Sequence, residues 1–302
     1  MKKHEKCFHL VALLKACAKN KDLHIGEKLH VDIAERGLIH KSPYLANALI
    51  NMYSKCGAFN KARLVLEEIP IQSVVSWNAL IAGYAHQGQG QNALSCFEHM
   101  QRQGLSPDAV TFTSILKACS IVGAVGKGKQ FHKEIVSRGL MEKDIVLGNV
   151  LVDMYAKCDL LAEAQQVLDE LPIRNVISWS ALIAGYVQEG KGHQALNCFE
   201  RMLNEGLSPN AITFICVLKA CGSIGAICKG EQIQEKILNT GLLKKDIALG
   251  NALVDMYAKC GMLVKAQEVL CDLPSRDVIS WNALITGYAQ HGQDHEALNC
   301  FE

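Results

Sequence analysis

The chain has 302 residues, 49% of them hydrophobic, and its 31 Lys and Arg against 30 Asp and Glu leave a formal charge of +1. That balance gives no bulk electrostatic reason to bind a polyanion, so any nucleic-acid contact must rest on particular side chains. No apolar run approaches the roughly eighteen residues of a membrane span, and with the repeat register beginning just after the basic start "MKKHEK" no separable targeting segment is expected within this sequence.

From about Cys7 the chain falls into hairpin-sized units, 7–42 and 43–73 first, behind a lead-in of residues 1–6. The unit 74–108 is the clearest. Trp77, Leu80, Ile81 and Tyr84 fall at i, i+3, i+4 and i+7, one face of a helix. "HQGQG" interrupts it with glycine, a second stripe follows at Ala93, Leu94, Phe97 and Met100, and "QGLSPD" ends it. The next units are 109–144, with "TSILKAC" and "GLMEKD", and 145–175, with "NVLVDMYAKC" and "LPIRN". The set then restarts as 176–210, 211–246, 247–277 and a partial 278–302.

Lengths of 35, 36 and 31 residues add to a period of 102: Trp77, Trp179 and Trp281 share one register, and "VDMYAKC" is identical at 152–158 and 254–260. One hairpin cannot bury its apolar face, whereas stacked hairpins bury each other's. The predicted fold is all-α, a right-handed α-solenoid of helix-turn-helix repeats with about eight and a half hairpins. No polar capping helix closes the last unit, so a piece of a longer protein is expected.

The thirteen cysteines follow the same period. Cys17, Cys119 and Cys221, then Cys56, Cys158 and Cys260, then Cys96, Cys198 and Cys300 are three positions copied three times. No two have the spacing of a zinc knuckle, and they read as small buried apolar residues in a reducing compartment. No metal or cofactor is expected.

One polar position varies inside an otherwise copied string. "VSWNALIAGYA", "ISWSALIAGYV" and "ISWNALITGYA" place Asn78, Ser180 and Asn282 after the tryptophan. Val75, Asn78 and Ala82 share a helix face distinct from the apolar stripe, and that face is expected to be bare. The pair recurs as Tyr44 with Asn47, Val146 with Asn149, Ile177 with Ser180, Ala248 with Asn251 and Ile279 with Asn282. Asparagine is a poor mid-helix residue and needs a reason here. Either the amides form a ladder from each hairpin to the next, or they meet a ligand. The last residue of each unit (Ser73, Asp108, Asn175, Asn210 or Asp277) varies too, as a helix N-cap, a ligand contact or both.

These units resemble pentatricopeptide repeats, in the plant arrangement that alternates P-, L- and S-type motifs. "VVSWNALIAGYAHQGQGQNALSCFEHMQRQGLSPD" is P-type, "AVTFTSILKACSIVGAVGKGKQFHKEIVSRGLMEKD" L-type and "IALGNALVDMYAKCGMLVKAQEVLCDLPSRD" S-type, and the resemblance covers residues 7–302. It implies single-stranded RNA binding, one base per repeat, with the fifth and last residues of a motif choosing the base and the second clamping it. Carried over, Asn47 with Ser73 implies cytosine, Asn78 with Asp108 uracil, Asn149 with Asn175 either pyrimidine, Ser180 with Asn210 adenine and Asn251 with Asp277 uracil. Thr113 with Asp144 nominally implies guanine, whereas Val11 and Ile215 cannot hydrogen-bond. The clamping residues would be Tyr44, Val75, Val110, Val146, Ile177, Ile212, Ala248 and Ile279. The implied element is roughly C-U-N-Y-A-N-U.

Lys55, Lys157 and Lys259 recur eight residues after the asparagine, as phosphate contacts or as ordinary solvated lysines; His86, Gln188 and Gln290 stand there in the P-type motifs. Proteins of this arrangement commonly direct C-to-U editing of chloroplast or mitochondrial transcripts, some with a zinc deaminase domain and others with editing-complex partners or a deaminase acting in trans. That chemistry needs H-x-E with a downstream P-C-x-x-C. His132-Lys133-Glu134 is the one H-x-E, its counterparts are His30-Val31-Asp32 and Gln234-Glu235-Lys236, and no P-C-x-x-C exists, so no enzyme is expected. The rival reading is a peptide-binding scaffold like the tetratricopeptide repeats, which share the spacing of "ALSCFE".

Overall fold

A computed structural model describes the backbone of residues 2–301 and the side chains of residues 7–301. Among the described residues there are eighteen α-helices, one short 3-10 turn at Leu242–Lys244 and no strand. The helices form two compact units, Met1–Met154 and Tyr155–Glu302. In the first unit the hairpins are α1 (Lys2–Asn20) with α2 (Leu23–Glu35), and α3 (Pro43–Lys55) with α4 (Phe59–Glu68). They continue with α5 (Val74–His86) and α6 (Gly90–Arg102), then α7 (Ala109–Val122) and α8 (Val125–Ser137).

The chain passes into the second unit within α9 (Ile145–Lys157), followed by α10 (Leu161–Glu170). Next come α11 (Val176–Gln188) with α12 (Gly192–Asn204), and α13 (Ala211–Ile224) with α14 (Ile227–Thr240). The last pairs are α15 (Ile247–Lys259) with α16 (Leu263–Asp272), and α17 (Val278–Gln290) with α18 (Asp294–Asn299). The unequal unit lengths have a simple origin. In the 31-residue units the second helix (α4, α10 or α16) has 10 residues, against 13 in α6, α8 and α12.

Helix starts are written in the sequence. Ser73, Asp108, Asn175, Asn210 and Asp277 cap α5, α7, α11, α13 and α17, each accepting from the backbone N–H three residues on. Ser76, Thr111, Ser178, Thr213 and Ser280 return the bond to the cap's own N–H, so two orphan donors are satisfied at each start. Helices α7 and α13 end on Gly123 and Gly225 in left-handed backbone (φ 66° and 67°), a conformation in which a Cβ would crowd the following carbonyl.

First helices pack on first helices: α1, α3, α5 and α7 in succession in the first unit, and α11, α13, α15 and α17 in the second. Leu45, Leu49, Leu80, Ile81, Phe112 and Ile115 are fully buried in the one, Trp179, Leu182, Phe199, Phe214, Leu253 and Tyr257 in the other. Each contributes about 1.5–3 kcal/mol relative to an exposed side chain. The close approach of first helices is made at one repeated position. A Cβ added at Gly83 would sit 2.5 Å from Ser54 Cβ, at Gly185 2.8 Å from Ala156 Cβ, and at Gly287 2.5 Å from Ala258 Cβ.

All thirteen cysteines are free thiols. Cys17, Cys96, Cys119, Cys198 and Cys221 are buried, as the repeat implies, but Cys56, Cys158, Cys260 and Cys300 are half-buried. Cys56 and Cys260 fall at helix ends, at the C-caps of α3 and α15. No helix among the described residues is long and apolar enough to cross a membrane.

Candidate nucleic-acid interface

The second residue of each unit stands out by its exposure. In the first unit Tyr44, Val75, Val110 and Val146 are 48–80% exposed; in the second, Ile177, Ile212 and Ile279 are 62–64% exposed and Ala248 is exposed as well. Each lies in the first turn of a first helix, two residues after its cap, where the core stripe does not reach. Phe8 holds the same register in 7–42 and is also exposed; with Tyr44, Val11, Lys15 and Lys41 it lines an apolar groove. The sequence reading missed Phe8, though its register could have found it.

The fifth residue does not stand on a bare face. Asn78, Asn149, Ser180 and Asn251 are only 6–7% exposed and Asn47 is half-buried; over Asn47, Asn78, Ser180 and Asn251 the first turn of the next hairpin closes. Asn78 Nδ2 donates to Asp108 Oδ1 at 2.9 Å, and Thr111 Oγ1 donates to Asn78 Oδ1 at 2.7 Å. In the second unit Asn251 Nδ2 donates to Asp277 Oδ1 at 3.1 Å and accepts at Oδ1 from Ser280 Oγ at 2.6 Å. Ser76 Oγ donates to Asn47 Oδ1 at 2.7 Å, and the hydroxyls of Ser180 and Thr213 meet at 2.6 Å. A ladder from hairpin to hairpin therefore exists within each unit. Asn149 Oδ1 is buried without a hydrogen-bond partner.

Capping consumes one side-chain atom of the last residue and spares another. Asp108 Oδ1 accepts from Thr111 N at 2.8 Å as well as from Asn78, and Asp277 Oδ1 accepts from Ser280 N at 2.9 Å. Oδ2 of each stays outside these bonds, an acceptor with open lone pairs. Asn210 Oδ1 accepts from Thr213 N at 2.9 Å and Asn175 Oδ1 from Ser178 N at 3.0 Å, which leaves the NH2 group of each as a donor. Ser73 Oγ accepts from Ser76 N at 3.3 Å and lies 2.9 Å from Ser76 Oγ, to which it donates because the Ser76 proton goes to Asn47. Asp caps thus present an acceptor and Asn caps a donor, while the Ser73 hydroxyl is a donor only when it turns from Ser76.

The ladder also sets charge. Burial opposes ionisation of Asp108, but hydrogen bonds from Thr111 and Asn78 outweigh it and hold the carboxyl below its ordinary range. At Asp277 the backbone N–H of Ser280 is the largest influence, and the hydroxyl of Ser280 and amide of Asn251 also favour the carboxylate.

The remaining expected residues fall less evenly. Thr113 donates its hydroxyl to Ala109 O at 2.8 Å, back along its own helix, and Asp144 accepts from Val146 N at 2.8 Å. Asn282, with no later hairpin in this sequence to cover it, is exposed, and so is Trp281 at 38%. Lys55, Lys157 and Lys259 are exposed at the ends of α3, α9 and α15, but Lys259 pairs with Asp255 at 2.8 Å. Burial, then Lys117 and Lys55, depress the pKa of His86, whose Nδ1 lies 3.0 Å from Lys117 Nζ. Glu134 of the H-x-E string is ion-paired with Arg138.

A family model for the PPR repeat family matches residues 72–120 and 174–223, and one for the PPR repeat matches 44–71, 110–140, 149–176, 251–278 and 279–302. The chain belongs to the pentatricopeptide repeat family. A chloroplastic pentatricopeptide repeat-containing protein of Arabidopsis thaliana is 36% identical over 96% of this chain and 47% of its own length. A putative mitochondrial one from the same plant is 37% identical over 96% and 46%. The chain thus spans about half the length of these relatives. The crystal structure of the maize pentatricopeptide repeat protein PPR10 superposes with a TM-score of 0.74 at 20% identity, over 91% of this chain and 40% of that one. Its complex with an 18-nt psaJ RNA element gives 0.75 at 20% identity, over 91% and 41%. This likeness establishes the helical-hairpin solenoid.

Proposed function

We propose that this chain binds single-stranded RNA sequence-specifically, one base per hairpin, as a non-catalytic array that alternates P-, L- and S-type motifs. The observation that carries the reading is the pairing, hairpin after hairpin, of an exposed apolar side chain with a cap two residues earlier that has one polar atom to spare. The apolar residue gives van der Waals contact to any base face; the spare atom distinguishes bases by donor or acceptor. The maize relative's complex with RNA supports the same class of ligand.

The spare atoms fit the implied letters. Oδ2 of Asp108 and of Asp277 accepts the N3–H of uracil. The Ser73 hydroxyl, turned from Ser76, donates to N3 of cytosine, and the NH2 of Asn210 donates to N1 of adenine. Asn175 takes a pyrimidine, and Asp144 beside Thr113 takes the N1–H of guanine. Val11 and Ile215 read nothing. The target element is C-U-N-Y-A-N-U, with Lys55, Lys157 and Lys259 near phosphates. Relatives named for chloroplast and mitochondrion support action on organellar transcripts, as a specificity factor for C-to-U editing or other processing, with a deaminase supplied elsewhere.

The hydrogen-bonded ladder would equally suit a scaffold that binds peptide, and one titration separates the two. Fluorescence anisotropy on this RNA, and on one with adenine replaced by uracil, should differ by about tenfold, or about 1.4 kcal/mol. The double variant Ser180→Asn with Asn210→Asp should reverse that preference. Equal affinities throughout would favour the scaffold.

A further inference from the structure

The ladder contains a third member that no base-reading scheme above uses. In four places a hydroxyl on the first turn of one hairpin reaches the fifth residue of the hairpin before it. Ser76 is 2.7 Å from Asn47, Thr111 2.7 Å from Asn78, Thr213 2.6 Å from Ser180, and Ser280 2.6 Å from Asn251. All four hydroxyl residues are buried to 1% exposure or less.

The chemistry of an amide makes this contact consequential. Asparagine can present a carbonyl oxygen or an NH2 group to a neighbour, and the two are sterically almost alike. At Asn78 the oxygen faces the Thr111 hydroxyl, whose single proton is shared with Asp108 Oδ1 at 2.8 Å, while Nδ2 gives one hydrogen to Asp108. Flipping the amide would set its NH2 against the Thr111 hydroxyl and its oxygen against the Asp108 carboxylate, two acceptors face to face. The orientation is locked, and one amide N–H is left. Asn251 is locked in the same way by Ser280 and Asp277.

We infer that Ser76, Thr111 and Ser280 are positioning residues for base selection: each fixes the asparagine at the fifth position of the preceding hairpin so that its amide offers only a donor. The inference rests on the RNA reading above and deepens it. A lone amide donor beside an Asp acceptor matches the adjacent C=O and N3–H of uracil, and beside a Ser donor it matches the O2 and N3 acceptors of cytosine. Without the hydroxyl the amide keeps its bond to the cap but loses its second anchor, so the remaining N–H swings and discriminates the pyrimidines less sharply. The letter read by one hairpin is then partly written in the next.

The test is a variant that removes the hydroxyl and keeps the shape. Thr111→Val should reduce the preference for uracil over cytosine at the second base of C-U-N-Y-A-N-U from about tenfold to threefold or less. Adenine preference at the fifth base should be unchanged, and Thr111→Ser should restore the wild-type ratio. Anisotropy on three oligonucleotides reads all of this, with circular dichroism to report the fold. If Thr111→Val unfolds, Ser76→Ala with Ser76→Thr as rescue makes the same measurement at the first base. Thr111→Val that still selects uracil, or that lowers discrimination equally at every base, overturns the positioning role. Wild-type protein with no preference at the second base overturns the RNA reading along with it.

Discussion

The amide of Asn78 and the carboxylate of Asp108 meet at 2.9 Å although they stand thirty positions apart in the chain. Asp108 is at once the cap of α7 and the partner of a side chain in α5. The seam between consecutive hairpins is therefore polar at this edge and apolar behind it, where Leu80, Ile81, Phe112 and Ile115 lie fully buried.

That seam should matter for stability without any ligand. Asn78→Ala removes the charge-assisted donor to Asp108 and one of the two acceptors of the buried Thr111 hydroxyl. Loss of about 1–3 kcal/mol is expected in urea unfolding of the free protein. A change within about 0.5 kcal/mol would mean the ladder contributes nothing to the fold.

Acid should loosen the same seam. The folded-state pKa of Asp108 and of Asp277 lies below the ordinary 3.8, so each carboxylate contributes stability that is complete above the unfolded value. The contribution is lost as pH falls through about 4 and below. Thermal melts between pH 6 and pH 2.5 should show the loss, and the double variant Asp108→Asn with Asp277→Asn should show a shallower one. Parallel curves would contradict this account.

The glycine at the helix crossing admits no methyl group. In Gly185→Ala the new Cβ would stand 2.8 Å from Ala156 Cβ and 2.9 Å from Leu161 Cδ2. Alanine gains about 1 kcal/mol of helix propensity, but overpacking against a backbone-anchored Cβ outweighs it. A net loss of about 1–3 kcal/mol is expected, and a variant as stable as wild type would show that α11 can shift freely.

Thiol reactivity should divide by burial. Burial pushes Cys96 and Cys198 up to about 11 and Cys221 up to about 12, so little thiolate forms there near pH 8. Cys228 and Cys271 are exposed. A disulfide reagent at that pH should give a fast phase that Cys228→Ser with Cys271→Ser removes, with Cys96, Cys198 and Cys221 reacting only in denaturant. A fast phase that survives the double substitution would refute the division.

Much of the architecture was legible because apolar spacing and helix caps are local signals. Trp77, Leu80, Ile81 and Tyr84 announce a buried stripe, and it is buried. What could not be read was how far the next hairpin reaches over its neighbour. The helix-face argument put Asn78 on an open surface, but burial there is decided by Asp108 and Thr111, 30 and 33 positions further along the chain and silent in any single helix. The Ser or Thr three residues after Ser73, Asp108, Asn175, Asn210 and Asp277 was visible in the sequence, but its reach to the preceding hairpin was not. Cys56 and Cys260 show the opposite limit, since a residue on an apolar string at a helix end is only half covered.

The bonds from Thr111 to Asn78 and from Ser280 to Asn251 also bear on how such arrays recombine. A cassette cut at a unit boundary, such as 74–108, would separate the asparagine from the hydroxyl that orients it. Splice points placed after the first turn of the following helix, past Thr111 or Ser280, would carry both together, so the transferable module is offset from the visible period.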